Sequence, residues 1–162
     1  MKKIFEEYAS YNLWADQRLS EAILQIPEET TKTIVLSSFG TIQLTLLHLL
    51  NASSTWWRRL NLIEDSHTPG NDNHSIDKIL SGLLEQSTLW KGWVKKSTGA
   101  DLEQKLIYTN SKKEQFEQPI YEILLHVFNH NTYHRGQLVT MMRQLNLTTI
   151  PATDFILFTR DK

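Results

Sequence analysis

Residues 124–145 read LLHVFNHNTYHRGQLVTMMRQL and place His126, His130 and His134 at four-residue intervals. Apolar residues recur through and around this run at helical spacing: Ile120, Ile123, Leu124, Val127, Leu138, Met141, Met142 and Leu145. That period predicts one long amphipathic helix, opened by Pro119, a favoured first-turn residue, and ending near residue 146. Three further stretches carry the same period. Residues 4–26 put Ile4, Tyr8, Tyr11, Ala15, Leu19, Ala22 and Ile26 near one face, and Pro27 cannot continue the hydrogen-bond ladder. A helix over about residues 42–62 follows SSFGT, whose serines and threonine are natural N-caps. Another, over residues 75–96, spaces Ile76, Leu80, Leu83, Leu84, Trp90 and Val94 helically and fades into STGAD.

Four helices of this length with little strand predict an all-α fold, an antiparallel four-helix bundle. The connections are long enough for crossovers. Two segments have strand character: TKTIVLS at residues 31–37, and KLIYTNSKKEQFEQ at 105–118, which reads as a hairpin turning around residues 110–113. EDSHTPGNDNHS, residues 64–75, is rich in turn formers and reads as a loop. PATDFILFTR is read as a short tail.

At 162 residues the chain fits a single domain spanning 1–162. With 17 basic and 18 acidic side chains the net charge is −1, which argues against nucleic acid as a partner. The absence of cysteine removes disulfides, thiolate ligands and a cysteine nucleophile together. Glu6 and Glu7 interrupt the N-terminus before an apolar run forms, so neither a signal peptide nor a membrane span is expected. The expected location is cytoplasmic.

The histidines permit three readings: a metal site, a pH-sensitive patch, or the polar flank of a helix. Imidazoles at i and i+4 can converge on one ion. Asn131 follows His130, so the HExxH pattern of zinc peptidases is absent. His126 and His134 stand about 12 Å apart along the helix axis, too far to share an ion comfortably. With His130 at 0°, the apolar stripe centres at about +70°, His134 at about +40° and His126 at about −40°. The pair facing a bundle core is therefore His130 and His134. In the second helix His48 sits among Leu44, Leu46, Leu47, Leu49 and Leu50, which predicts burial. A buried histidine needs a partner, and a carbonyl or serine would serve as well as a metal. His67 and His74 read as surface residues.

These segments carry a family resemblance. YASYNLWADQRL, SSFGTIQLTLLHLLNASSTWWRRL, HVFNHNTYHRGQLVTMMRQLN and PATDFILF, in that order, resemble the DinB/YfiT-like family over nearly the whole chain. The resemblance implies an antiparallel four-helix bundle with long crossovers, commonly dimeric. It also implies a divalent metal ion, zinc or nickel, held by His48, His130 and His134, with His126 at the rim. Where relatives often carry an acidic residue soon after the first histidine, this chain has NASST, which removes a possible acid or base. Related families join small thiols such as bacillithiol or mycothiol to electrophiles. The expected function is thus a metal-dependent thiol S-transferase acting on a small-molecule thiol and an electrophile. The alternatives are a metal-dependent hydrolase and a non-enzymatic metal-binding stress-response protein.

No general base can be named. Asp16, Tyr133, Arg135 and Gln137 are candidates only by nearness and read as structural or surface contacts. Gly136 reads as tolerated helix packing, with close backbone approach as the alternative. In TWWRR one of Trp56 and Trp57 is expected in the core and the other at a pocket or subunit contact. Arg58 and Arg59 read as a solvated helix end, with anion binding as the alternative.

Overall fold

The computed structural model describes residues 1–63, 74–110 and 112–160. Its order is α1 (Lys2–Leu24), α2 (Glu28–Thr31), α3 (Ile42–Leu60), α4 (Ile76–Lys96), α5 (Gly99–Glu103), β1 (Lys105–Thr109), β2 (Gln115–Pro119), α6 (Ile120–Gln144) and α7 (Phe155–Arg160). The four predicted long helices are all present, each within about two residues of its expected ends. Most of the loop expected over residues 64–75, with His67, lies outside the described residues.

Two apolar clusters show how the long helices run. One gathers Leu19 and Ile23 of α1, Ile42 and Leu46 of α3, Ile79 and Leu83 of α4, and Leu138 and Met142 of α6. The other gathers Phe5 and Ala9, Trp90 and Val94, and Ile120 and Leu124, with Trp56 and Trp57 packed against it. The start of α1 therefore lies beside the start of α6 and the ends of α3 and α4. So α1 and α6 point one way, and α3 and α4 the other. α1 packs on α4 and α6, and α3 packs on the same two helices. The neighbours α3 and α4 are parallel. This is the expected four-helix bundle.

Local chemistry sets the ends. Thr41 caps α3, its Oγ1 accepting from the Leu44 amide at 3.1 Å. Thr98 and Asp101 form a capping box that turns the expected fade at STGAD into α5. β1 and β2 pair antiparallel from Lys105 opposite Pro119 to Thr109 opposite Gln115, which is the predicted hairpin. Its turn is tied by Asn110 Oδ1, which accepts from the amides of Lys112 and Glu114.

Two expectations are corrected, and the tail takes a defined form. Residues 31–37 form no strand: the chain ends α2 and runs irregularly, with Ile34 84% and Leu36 94% exposed. An alternating apolar pattern needs a neighbouring strand to pair with, and the hairpin pairs only with itself. The tail at residues 155–160 is helical, and Tyr11 Oη donates to the Thr153 carbonyl at 2.8 Å just before it. On α1 the expected Tyr11, Ala15, Leu19 and Ala22 are buried, but the buried face extends past that stripe. Ile4 is exposed, while Asn12 and Asp16 are buried together with Phe5, Ala9, Leu19 and Ile23. Among the described residues no helix is long and apolar enough to cross a membrane.

Candidate metal centre

The antiparallel seam between α3 and α6 carries His48 on one side and His130 and His134 on the other. His130 Nε2 lies 3.1 Å from His48 Nε2 and 3.1 Å from His134 Nε2, although His48 and His130 are 82 residues apart in sequence. The three ring nitrogens all lie within 4.8 Å of one another. His134 is buried, while His48 and His130 are half-buried. The expectation that His48 is buried among its leucines is therefore corrected: it faces the seam, where Leu44, one turn earlier, is 49% exposed.

Neighbours fix each ring. His134 Nδ1–H donates to the Gln137 side-chain oxygen at 2.7 Å, which leaves His134 Nε2 as a bare lone pair aimed at the cluster. Gln137 in turn donates from Nε2 to Ser38 Oγ at 3.3 Å, in agreement with that amide orientation. Phe39, from the segment before α3, stacks on His48 with centroids 4.2 Å apart and tilts over His134 at 5.6 Å. Tyr133 stands edge-on to His134 at 5.0 Å but is 64% exposed.

The donor set suits a divalent ion. Ligand nitrogens about 2.0–2.1 Å from a tetrahedral zinc stand roughly 3.3 Å apart, close to the 3.1 Å found here. Imidazoles also suit nickel, cobalt, iron and copper. Burial pushes the His130 imidazole down to about 4, with the neighbouring His134, His48 and His126 adding to the effect. His48 is lowered by burial and by His134. Both rings are thus neutral at pH 7, the form that ligates metal. Among the described residues no carboxylate joins this cluster.

The other residues singled out in the sequence fall in different places. His126 is exposed, with its ring 5.7 Å from His130 and 5.1 Å from Trp56, so it stands at the rim. Trp57 is the core-facing tryptophan, edge-on to the fully buried Trp90, and Trp56 is the outer one. Asp16 is no site residue. Its carboxylate accepts from Arg135 Nη1 at 2.8 Å and Ser87 Oγ at 2.6 Å, and Arg135 also donates to Asn12 and Thr132. This network is buried and ties α1, α4 and α6 together behind His134. A Cβ on Gly136 would meet nothing within 4 Å, so no backbone approaches it closely. His74 is half-buried, its carbonyl accepting from Gln43.

Sequence reasoning passed over Phe39 and placed Gln137 near the site only as a structural or surface contact. The spacing of Gln137, three residues after His134 on the same helical face, was the available signal. Phe39 had none, because its contact depends on how an irregular segment folds back.

Comparison with known proteins agrees with this architecture. The chain is 26% identical to Protein DinB of Bacillus subtilis over 159 residues, covering 91% of this chain and 89% of that protein. A DinB-like protein of Bacillus cereus superposes with a TM-score of 0.71 at 19% identity, covering 91% of this chain and 95% of the other. YfiT of Bacillus subtilis superposes with a TM-score of 0.63 at 14% identity, covering 91% of each chain. YfiT is described as a probable metal-dependent hydrolase with an unusual four-helix bundle topology. The profile of the DinB family matches residues 1–161, and the chain belongs to that family.

Proposed function

We propose that this protein is a divalent-metal-dependent enzyme in which His48, His130 and His134 hold the ion through Nε2, and that it activates a small-molecule thiol for transfer to an electrophile. The observation that carries this reading is the convergence of three imidazoles on one point of a half-open seam. A structural ion is usually enclosed by four protein ligands, whereas three leave a position for substrate. An ion bound there supplies an uncompensated positive charge that favours the ionised form of a coordinated thiol or water.

The chain's own residues favour the thiol. A thiol starts from a pKa near 8.5 and ionises beside a cation without further help. Free water is a far weaker acid, and an ion held by three imidazoles would bring bound water only to a pKa of about 7. Among the described residues no carboxylate joins the cluster to take its proton. Gln137 holds the His134 tautomer, Phe39 holds the His48 ring, and His130 sits between the other two. The second reading, a metal-dependent hydrolase, draws support from the likeness to YfiT.

The test is metal content of the untagged protein by mass spectrometry, beside His48→Ala, His130→Ala, His134→Ala and His126→Ala. The expected result is about one divalent ion per chain, lost in the first three variants and kept in the fourth. Metal retained by all four variants, or none taken up from zinc, nickel, cobalt or manganese, overturns the site. Thiol consumption measured against ester and amide hydrolysis then separates the two reactions.

A further inference from the structure

Arg59 is not the solvated helix end that its sequence context suggested. It is half-buried near the end of α3, and its Cζ lies 4.6 Å from the Trp56 ring centroid and 5.1 Å from that of Tyr108. Nη2 donates to the Thr109 carbonyl at 3.2 Å, which fixes the guanidinium against the hairpin. Among the described residues no carboxylate pairs with it. Four of its five N–H groups thus have no partner there, in a plane held by two aromatic rings.

The same rings lead to the histidines. Trp56 packs edge-on to His126 at 5.1 Å, and His126 lies 5.7 Å from His130. His126 and His130, with Leu125, Asn129, Thr132 and Tyr133, line an open cavity of about 630 Å³. α3 rises about 16 Å between His48 and Arg59, and the ring contacts through Trp56 and His126 bridge that separation. A held, half-desolvated cation without an internal counter-charge is a receptor for an external oxyanion, and guanidinium geometry matches a carboxylate through two parallel N–H bonds.

We propose that Arg59 binds a carboxylate of the organic substrate whose reacting end lies at the three-histidine cluster. The position of the reacting end rests on the metal-enzyme reading, but the carboxylate contact does not. Trp56 and Tyr108 meet edge to face on one side of the cation, their centroids 4.9 Å apart, and offer ring surface beside it, so the class is a carboxylate with a planar apolar body.

The test is calorimetric titration of 2-naphthoate and its neutral isostere 2-naphthamide into the wild type, Arg59→Gln, Arg59→Lys and His48→Ala, with metal content measured for each. The wild type is expected to bind the carboxylate roughly tenfold more tightly than the amide. Arg59→Gln should abolish that preference and leave metal content unchanged. His48→Ala should lose the metal and keep the preference, which excludes direct ligation of the carboxylate by the ion. Equal affinity of the wild type for both probes, or a preference that survives Arg59→Gln, overturns the proposal. If Arg59→Gln does not fold, Arg59→Lys decides, because it keeps the charge but loses the planar fork: a preference cut to a few-fold supports the assignment, and an unchanged one overturns it. Metal without a preference refutes only the Arg59 assignment. A preference without metal refutes only the metal centre.

Discussion

The side-chain oxygen of Gln137 lies 2.7 Å from Nδ1 of His134, one turn further along α6. This contact sets which nitrogen of His134 carries the proton and so which one faces His130. Removing it frees the ring to turn and lets the proton move to Nε2. Gln137→Leu is therefore expected to weaken metal binding by about 10–100-fold, the usual effect of losing such a partner. Gln137→Glu keeps an acceptor and should retain affinity. Competition with a chromogenic chelator measures both, and an unchanged constant in Gln137→Leu would remove Gln137 from the site.

Acid should act on the metal-free protein through the same cluster. Folded His130 titrates at about 4, against an ordinary value of 6.5, and His48 is also lowered. Between those values the unfolded chain binds more protons than the folded one, so stability rises with pH. The contribution is complete above about 6.5 and is lost as pH falls toward about 4. Thermal melts of chelator-treated protein across this range should show a falling Tm, and His130→Ala should flatten the fall. A pH-independent Tm over this window would contradict the assignment. Protons also compete with the ion, so metal release is expected on the same acid side.

Asp16 and Arg135 form a buried pair that joins helices 119 residues apart in sequence. Asp16→Ala strands the guanidinium away from water, at an expected cost of about 3–5 kcal/mol in urea unfolding. Asp16→Ala with Arg135→Met removes both charges and should recover a large part of that loss. A loss below about 1 kcal/mol for the single variant would show that water reaches Arg135.

Gly136 lies inside α6, where glycine costs about 0.5–1 kcal/mol relative to alanine. A Cβ there meets open space. Gly136→Ala should raise unfolding free energy by that amount, read from the shift in denaturant midpoint at constant slope. Destabilisation would mean that the glycine serves a contact or motion of α6 that this geometry does not contain.

Most of the bundle was legible in the sequence because amphipathic period is a local property. Each long helix needs one apolar stripe, and the stripes of α3, α4 and α6 can be counted directly. The buried face of α1 was read too narrowly because Asn12 and Asp16 occupy core positions beside Tyr11, Ala15, Leu19 and Ala22, and polar residues are discounted in any apolar count. Their burial makes sense only beside Arg135. The strand expected at residues 31–37 failed for a related reason. A strand needs a neighbour, and local composition cannot tell whether one is at hand.

The candidate centre divides in the same way. The sequence by itself determined that His130 and His134 share the core-facing side of a helix while His126 turns away, because 100° per residue leaves no other arrangement. Only the tertiary structure decided that His48 meets His130 at 3.1 Å, that Gln137 and Phe39 hold the rings, and that Arg59 lies against both Trp56 and Tyr108. Helical period fixes direction around an axis, whereas contacts between helices depend on how α3 and α6 pack together.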